Sequence, residues 1–135
     1  MVNPVLRDLI GIRFIEGGRD TESGLDCWGL AMEVYRRYGI NIPDFTVDAF
    51  AFQTIDRLAN ESIMTKSWEE VYHPEDKDAP LIVLMRMHPK FVNHAGVFIG
   101  NNRIIHTMRR MNVVLTRVDA IKTRITGYYR YVDNH

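Results

Sequence analysis

A single cysteine and two of the five histidines have the types and contexts that nucleophilic chemistry requires. Cys27 falls in the first turn of a helix predicted from Asp26 to Tyr38, where free N–H groups and the helix dipole favour a thiolate. A neighbouring imidazole would lower the thiol pKa further by forming a thiolate–imidazolium pair. Taken alone, Cys27 fits a structural position better, because free cysteine is among the most buried residue types.

His94 and His106 are the candidates for that imidazole. His94 begins a predicted strand, and His106 lies in the strand that follows residues 100–102. If these three residues form the hairpin loop, with Asn102 left-handed, His94 and His106 are diagonal neighbours on one face of the sheet. A two-residue loop would place them on opposite faces. One imidazole would then be the base, and the other would hold its ring and tautomer.

The other three histidines are predicted to take no part in the site. His73 and His88 each precede a proline, and His135 is the last residue of the sequence. A zinc site built from the cysteine and two histidines is the weaker alternative, because no fourth protein ligand and no ligand-pair spacing is evident. We therefore predict a site without a metal or another cofactor.

Three helices are predicted before any strand. Apolar residues recur at three- and four-residue steps from Asp26 to Tyr38, and Gly39 follows as a C-terminal stop. Further helices are predicted over residues 4–10 and 46–59. The glycine-rich segment 16–24, which leads into the cysteine, is predicted to be a loop.

Beyond residue 80 the pattern changes to short β-branched and aromatic runs separated by turn residues. The predicted strands are 81–85, 95–99, 103–107, 113–116 and 128–132. They favour one meandering antiparallel sheet. Helices followed by strands is the α+β order, and no repeat, low-complexity tract or linker divides residues 1–135, so we predict a single domain.

The overall composition excludes several classes of function. The 135 residues include 17 basic and 17 acidic side chains, and 46% of the chain is hydrophobic, as in globular domains with a substantial core. Zero net charge and the lack of nucleic-acid-binding motifs argue against a nucleic-acid partner. No apolar run reaches the ~20 residues of a membrane span, and no signal peptide is evident. We therefore expect a protein that is cytoplasmic in the producing cell or associated with a virion.

Two segments of the sequence resemble the NlpC-type cell-wall cysteine peptidases, a bacterial papain-like family. The segments are Gly24-Leu25-Asp26-Cys27-Trp28-Gly29-Leu30 with its helix and the following Ile40-Asn41-Ile42-Pro43, and His94-Ala95-Gly96-Val97-Phe98-Ile99-Gly100 with the following Arg103-Ile104-Ile105-His106. The resemblance extends from about Phe14 to Met108. It implies a papain-like α+β fold in which the nucleophile helix packs on a central antiparallel sheet. Trp28 and the lead-in 17–20 resemble the phage-tail branch of the family.

The resemblance implies an endopeptidase that acts on the cell wall. Its substrate would be the peptidoglycan stem peptide, cut between D-γ-glutamyl and a diamino acid. Cys27 would attack the carbonyl carbon, His94 would act as base and then as acid, and His106 would orient His94. Phage tail proteins are the further partners that the resemblance implies.

A second set of residues is implied to surround the oxyanion and the substrate. The backbone N–H of Cys27 is a natural oxyanion donor, because it lies at a helix N-terminus beside the nucleophile. Asp26, Phe14 and Trp28 complete this set, although Asp26 is equally placed to cap the helix. Phe14 stands where many relatives have a tyrosine. A phenyl ring keeps the packing but loses the hydrogen bond, so either another group makes this contact or activity is reduced.

Two alternatives from other classes stay open. A structural tail or assembly protein would keep the fold without turnover, and Phe14 is the residue that favours it. A wall amidase, a toxin delivered into competitors or an acyltransferase would use a Cys/His site on the same fold. Product analysis distinguishes these activities, because a peptidase and a muramoyl amidase release different new amines.

Overall fold

A six-stranded antiparallel sheet with one long helix packed against it forms the centre of the protein. The computed structural model describes residues 3–44, 67–87 and 92–132. The strands are β1 (Arg19–Asp20), β2 (Gly24–Leu25), β3 (Trp68–Val71), β4 (Leu81–Met85), β5 (His94–Phe98), β6 (Arg103–Met108), β7 (Met111–Arg117) and β8 (Ile125–Tyr131). The α-helices are α1 (Cys27–Arg37) and α2 (Val118–Ile121), and 3-10 turns lie at Arg7–Leu9, Asp76–Asp78 and Lys122–Arg124. The predicted α+β fold, with the cysteine-bearing helix on the sheet, is confirmed.

Helix α1 begins and ends where the sequence predicts. Asp26 is its N-cap, and the carboxylate accepts a hydrogen bond from the Gly29 N–H at 2.7 Å. The helix is followed by Gly39, whose φ of +84° is a left-handed conformation that glycine adopts at little cost. Its buried face packs on the sheet through Leu30, Ala31, Val34 and Tyr35.

The three-residue loop predicted between β5 and β6 is present. Val97 pairs with Ile105 on the neighbouring strand, and Asn102 has the left-handed φ of 61° that the loop requires. Because side chains alternate along a strand, this register puts His94 and His106 on the same face of the sheet.

The order of the strands differs from a simple meander. Strands β4 to β7 are sequential neighbours, but β8 returns to pair with β4, giving the order β3-β8-β4-β5-β6-β7. The sequence prediction missed β3 altogether. Its two central residues, Glu69 and Glu70, are both exposed, so the strand lacks the apolar alternation from which strands are recognised.

The N-terminal segment is also less helical than predicted. Residues 4–10 contain only the 3-10 turn Arg7–Leu9. The chain then leaves the turn at Gly11, and backbone bonds join this stretch to β7, with the Gly11 N–H donating to the Val113 carbonyl and the Val113 N–H to the Ile12 carbonyl. Pairing with a sheet edge therefore replaces the last turn of the predicted helix. The predicted helix over residues 46–59 lies outside the described residues.

Both faces of the six-stranded sheet are covered by apolar side chains. One face carries the core shared with α1, and the other carries Leu81, Val83, Met85, Phe98 and Ile104, against which Val118 and Ile121 of α2 pack. Within the part of the chain that the structure describes, no helix has the length and apolar character needed to cross a membrane.

Gly29 is the position where the packing of α1 is least tolerant. A Cβ at Gly29 would lie 2.0 Å from the carbonyl oxygen of Gly18, in the loop that crosses the start of the helix. Helix propensity favours alanine over glycine by about 1 kcal/mol, but the backbone clash reverses the sign, so we expect Gly29→Ala to destabilise the fold by about 1–3 kcal/mol. Urea unfolding measures this change.

The matched control is Gly39→Ala, where no atom lies within 4 Å of the added Cβ and only the left-handed φ is unfavourable. This control should cost about 1–2 kcal/mol and leave the site intact. Gly29→Ala should in addition displace the loop from the site, which NMR shifts of the loop amides would report. A Gly29→Ala protein with wild-type stability and wild-type loop shifts would contradict the clash.

Candidate active site

Asp26 connects the glycine-rich loop to the start of α1. Its Oδ1 accepts from the Gly29 N–H at 2.7 Å and from Arg19 Nη1 at 2.6 Å, while Oδ2 accepts from the Gly17 N–H at 3.1 Å. The residue is 2% exposed. Of the two roles expected for Asp26, helix capping is the one that these contacts describe.

Arg19 is a residue that sequence reasoning did not single out. Its guanidinium bonds Asp26 through Nη1 and Asp44 through Nε at 2.9 Å, and it also donates to the Gly18 carbonyl. It therefore ties the loop, the helix start and the chain beyond α1 into one unit. An arginine in a polar, glycine-rich segment gives no sequence signal of such a role, because its two carboxylate partners lie 7 and 25 residues away.

Cys27 lies at the first position of α1, buried and 7% exposed. Burial, followed by the neighbouring Asp26 carboxylate, raises the pKa of the thiol to about 12. The backbone N–H of Ala95, the Arg19 guanidinium and the Trp28 N–H act in the opposite direction. The thiol therefore lies beside Ala95, the residue after His94 on β5.

The expectation that the helix N-terminus yields a thiolate is therefore wrong for the resting protein. Burial is the larger cause, because desolvation penalises the charged thiolate, and the Asp26 cap adds a negative charge next to the sulfur while it occupies the Gly29 N–H. With its pKa raised in this way, the thiol is protonated at neutral pH.

The two histidines are in direct contact. His94 Nε2 lies 2.9 Å from His106 Nδ1, and both residues are 3% exposed. Burial, followed by the neighbouring His106, lowers the pKa of His94 to about 3, and burial lowers the pKa of His106. Both rings are consequently neutral at pH 7, so each carries one proton on one of its two nitrogens.

A third polar side chain, Thr116, forms a hydrogen bond with the other ring nitrogen of His106. His106 Nε2 lies 2.7 Å from Thr116 Oγ1 on β7. The register of β6 with β7 pairs His106 with Val114 and Ile104 with Thr116, so Thr116 lies diagonally from His106 on the same face. Sequence reasoning missed Thr116, although predicting this register would have found it.

Phe14 and Trp28 occupy different surroundings. The backbone of Phe14 forms a bridge with Leu25, two residues before the cysteine, and its side chain is half-buried. Trp28 is 3% exposed, its indole N–H donates to the Pro43 carbonyl at 2.9 Å, and its ring meets the edge of Trp68. These contacts show Trp28 packed in the core, and its place among the substrate-binding residues stays a prediction.

Within residues 3–44, 67–87 and 92–132, no group of three or more His, Cys, Asp or Glu side chains is arranged to hold a metal ion. The structure brings His94 and His106 into contact and places Cys27 against the backbone of Ala95. A thiol at a helix start and an imidazole are groups that covalent acyl transfer can use.

The buried histidines make stability sensitive to acid. The pKa of His94 is about 3 in the folded protein against about 6.5 when unfolded, so protonation favours unfolding. Its contribution is complete above about pH 6.5 and is lost as the pH falls toward 3. We expect a loss of about 2 kcal/mol by pH 5 from His94 alone, measured as the urea midpoint against pH.

Two variants separate this effect from the titration of carboxylates. His94→Gln should flatten the pH dependence of stability between pH 7 and pH 5, whereas His73→Gln, at an exposed turn, should leave it unchanged. Identical slopes for the wild type and His94→Gln would show that His94 is not the buried neutral group described.

The six-stranded antiparallel sheet with the cysteine-bearing helix packed on it defines a papain-like domain. The NlpC/P60 family model matches residues 11–130, and the chain belongs to the NlpC/P60 family. No curated protein matches the sequence. Membership of the phage-tail branch stays a prediction from the sequence.

Solved structures of the family share the fold. An NlpC/P60 family protein from Bacillus cereus ATCC 10987 is 21% identical, with a TM-score of 0.63 over 93% of this chain and 37% of that chain. A lipoprotein-like NLP/P60 protein from Staphylococcus aureus Mu50 is 17% identical, with a TM-score of 0.59 over 93% and 38% of the two chains. The NlpC/p60 domain of the peptidoglycan hydrolase SagA is 21% identical, with a TM-score of 0.58 over 92% and 91%. The chain thus spans little more than a third of the first two proteins and nearly all of the SagA domain.

Proposed function

We propose that the protein is a cysteine endopeptidase that hydrolyses peptidoglycan stem peptides, with Cys27, His94 and His106 as its catalytic residues. The observation that carries this proposal is the buried His94–His106 contact, with Cys27 at the start of α1 lying against the backbone of Ala95, the residue after His94. Membership of the NlpC/P60 family and the likeness to the domain of a peptidoglycan hydrolase support it.

The proposed reaction begins with proton transfer from the Cys27 thiol to His94. Nδ1 is the accepting nitrogen, because Nε2 lies against His106. Sulfur attacks the peptide carbonyl, and the backbone N–H of Cys27 donates to the oxyanion that forms. The imidazolium then returns its proton to the leaving amine, leaving a thioester on Cys27. Water, deprotonated by His94, hydrolyses the thioester and regenerates the thiol.

Thiol deprotonation in this mechanism accompanies the attack. The resting pair is a neutral thiol and a neutral imidazole, because burial raises the pKa of Cys27 and lowers the pKa of His94. Charge therefore develops only as the sulfur–carbon bond forms. His106 faces the developing imidazolium with a ring nitrogen at 2.9 Å, so it stabilises the charge and fixes the orientation of the ring.

The scissile bond that we infer joins D-γ-glutamate to a diamino acid, as the family resemblance implies. The same resemblance implies action on the cell wall and association with phage tail proteins. Phe14 favours the second candidate, a tail or assembly protein without turnover, because a phenyl ring offers no hydroxyl near the nucleophile segment.

The test is digestion of purified peptidoglycan and of free tetrapeptide, with products identified by mass spectrometry. New amino termini on the diamino acid would support the proposed peptidase. Release of the intact stem peptide from the glycan would identify an amidase instead. A folded wild type that yields no product on either substrate would overturn the peptidase proposal and favour the structural role.

A further inference from the structure

Thr116 is not one of the three residues that we propose for catalysis. Its hydroxyl, on the neighbouring strand β7, forms a hydrogen bond with His106. Thr116 Oγ1 is 2.7 Å from His106 Nε2, the ring nitrogen that does not face His94. His106 as a residue is 3% exposed, and Thr116 is half-buried. A buried ring N–H requires an acceptor at this place.

The His94–His106 contact has two possible proton arrangements. Two neutral rings joined through His94 Nε2 and His106 Nδ1 share one proton between these atoms. In the first arrangement His94 donates from Nε2, which leaves its Nδ1 unprotonated and able to take the proton of Cys27. In the second, His106 donates from Nδ1 and the proton of His94 sits on Nδ1. The second arrangement contains no base.

We propose that Thr116 is a positioning residue that stabilises the productive arrangement by accepting a hydrogen bond from His106 Nε2–H. The productive arrangement places the proton of His106 on Nε2, and the Thr116 hydroxyl oxygen is the acceptor within 2.7 Å. When His94 becomes an imidazolium it still donates from Nε2, so His106 keeps the same tautomer throughout the reaction. The proposal rests on the role of His94 as the base.

Removing the hydroxyl would reverse the balance between the two arrangements. Without an oxygen at position 116, the productive arrangement leaves a buried N–H without an acceptor, which is the more costly defect. In the unproductive arrangement the Thr116 hydroxyl donates to the unprotonated Nε2 instead, and its removal leaves only a ring nitrogen without a donor, which is the smaller defect. A threonine is therefore needed at position 116 for its oxygen rather than for its shape, and valine, which has nearly the same shape, removes that oxygen.

The experiment compares Thr116→Val, Thr116→Ser and wild type. On free tetrapeptide we expect Thr116→Val to lower kcat by about 10–100-fold with KM nearly unchanged, and Thr116→Ser to retain most of the activity. The matched control is Thr126→Val on β8, which removes a hydroxyl that donates to the Leu84 carbonyl on β4 and should leave kcat unchanged.

The deciding measurement is nitrogen-15 NMR of the imidazoles, which reports the protonated nitrogen of each ring without turnover. We expect the proton of His106 on Nε2 in the wild type and on Nδ1 in Thr116→Val. A wild-type His106 protonated on Nδ1 would overturn the proposal, as would a Thr116→Val protein that keeps the wild-type tautomer or kcat. If the wild type is inactive but shows the expected tautomers, the proposed function fails while the proton arrangement stands.

Discussion

Replacing Cys27 with alanine is expected to lower peptide hydrolysis by about 10⁴-fold or more, because the reaction loses its nucleophile. The change removes one sulfur atom at a 7% exposed position, and the cap by Asp26 does not involve that atom. The fold should therefore survive. The measurement is kcat/KM on tetrapeptide and on peptidoglycan, with circular dichroism and thermal unfolding as checks of folding.

Cys27→Ser is the companion variant. It keeps an oxygen nucleophile of similar shape, but the hydroxyl is far less acidic than the thiol and His94 is a weak base, so activity should fall almost as far as in Cys27→Ala. Met32→Ala, one turn further along α1, is the control for damage to the helix. Wild-type turnover by folded Cys27→Ala would exclude covalent catalysis at this residue.

Replacing His94 should have the second largest effect, and it should exceed that of replacing His106. His94→Gln removes the base and should reduce kcat by about 10³–10⁴-fold. His106→Gln removes a partner that orients the base, for which losses of about 10–100-fold are typical.

The order of the two losses is the informative result. If His106→Gln is the more damaging variant, His106 rather than His94 is the base, and the assignment of the two rings is reversed. Stability must be measured with both variants, because each ring is buried and its replacement leaves polar partners behind. Both kcat values should be compared at a pH above 7, where folding is least sensitive to these histidines.

Several features of the fold were predictable because they depend on neighbouring residues. The start of α1 at an aspartate cap and its end before a glycine follow from hydrogen bonds and φ angles within a few residues. The β5–β6 loop is equally local, and its three residues determine that His94 and His106 share a face. The resemblance in these same segments led to the family, which the match over residues 11–130 confirms.

Other features depend on chain segments that meet only in the folded protein. The return of β8 to a place between β3 and β4 joins residues far apart in sequence, and no local pattern reports it. The same holds for the anchoring of Asp26 by Arg19 and for the approach of Thr116 to His106.

The protonation states of Cys27 and the two histidines show most clearly what the sequence predicts and what only the folded structure sets. By itself the sequence pointed to the residues that we propose for catalysis and predicted that a helix start would hold the cysteine, since both depend on local patterns. The tertiary structure decided that the resting thiol is protonated and the imidazoles are neutral, because burial and the nearby Asp26 carboxylate outweigh the helix N-terminus. Desolvation depends on every segment that covers a group, so it is set only when the chain has folded.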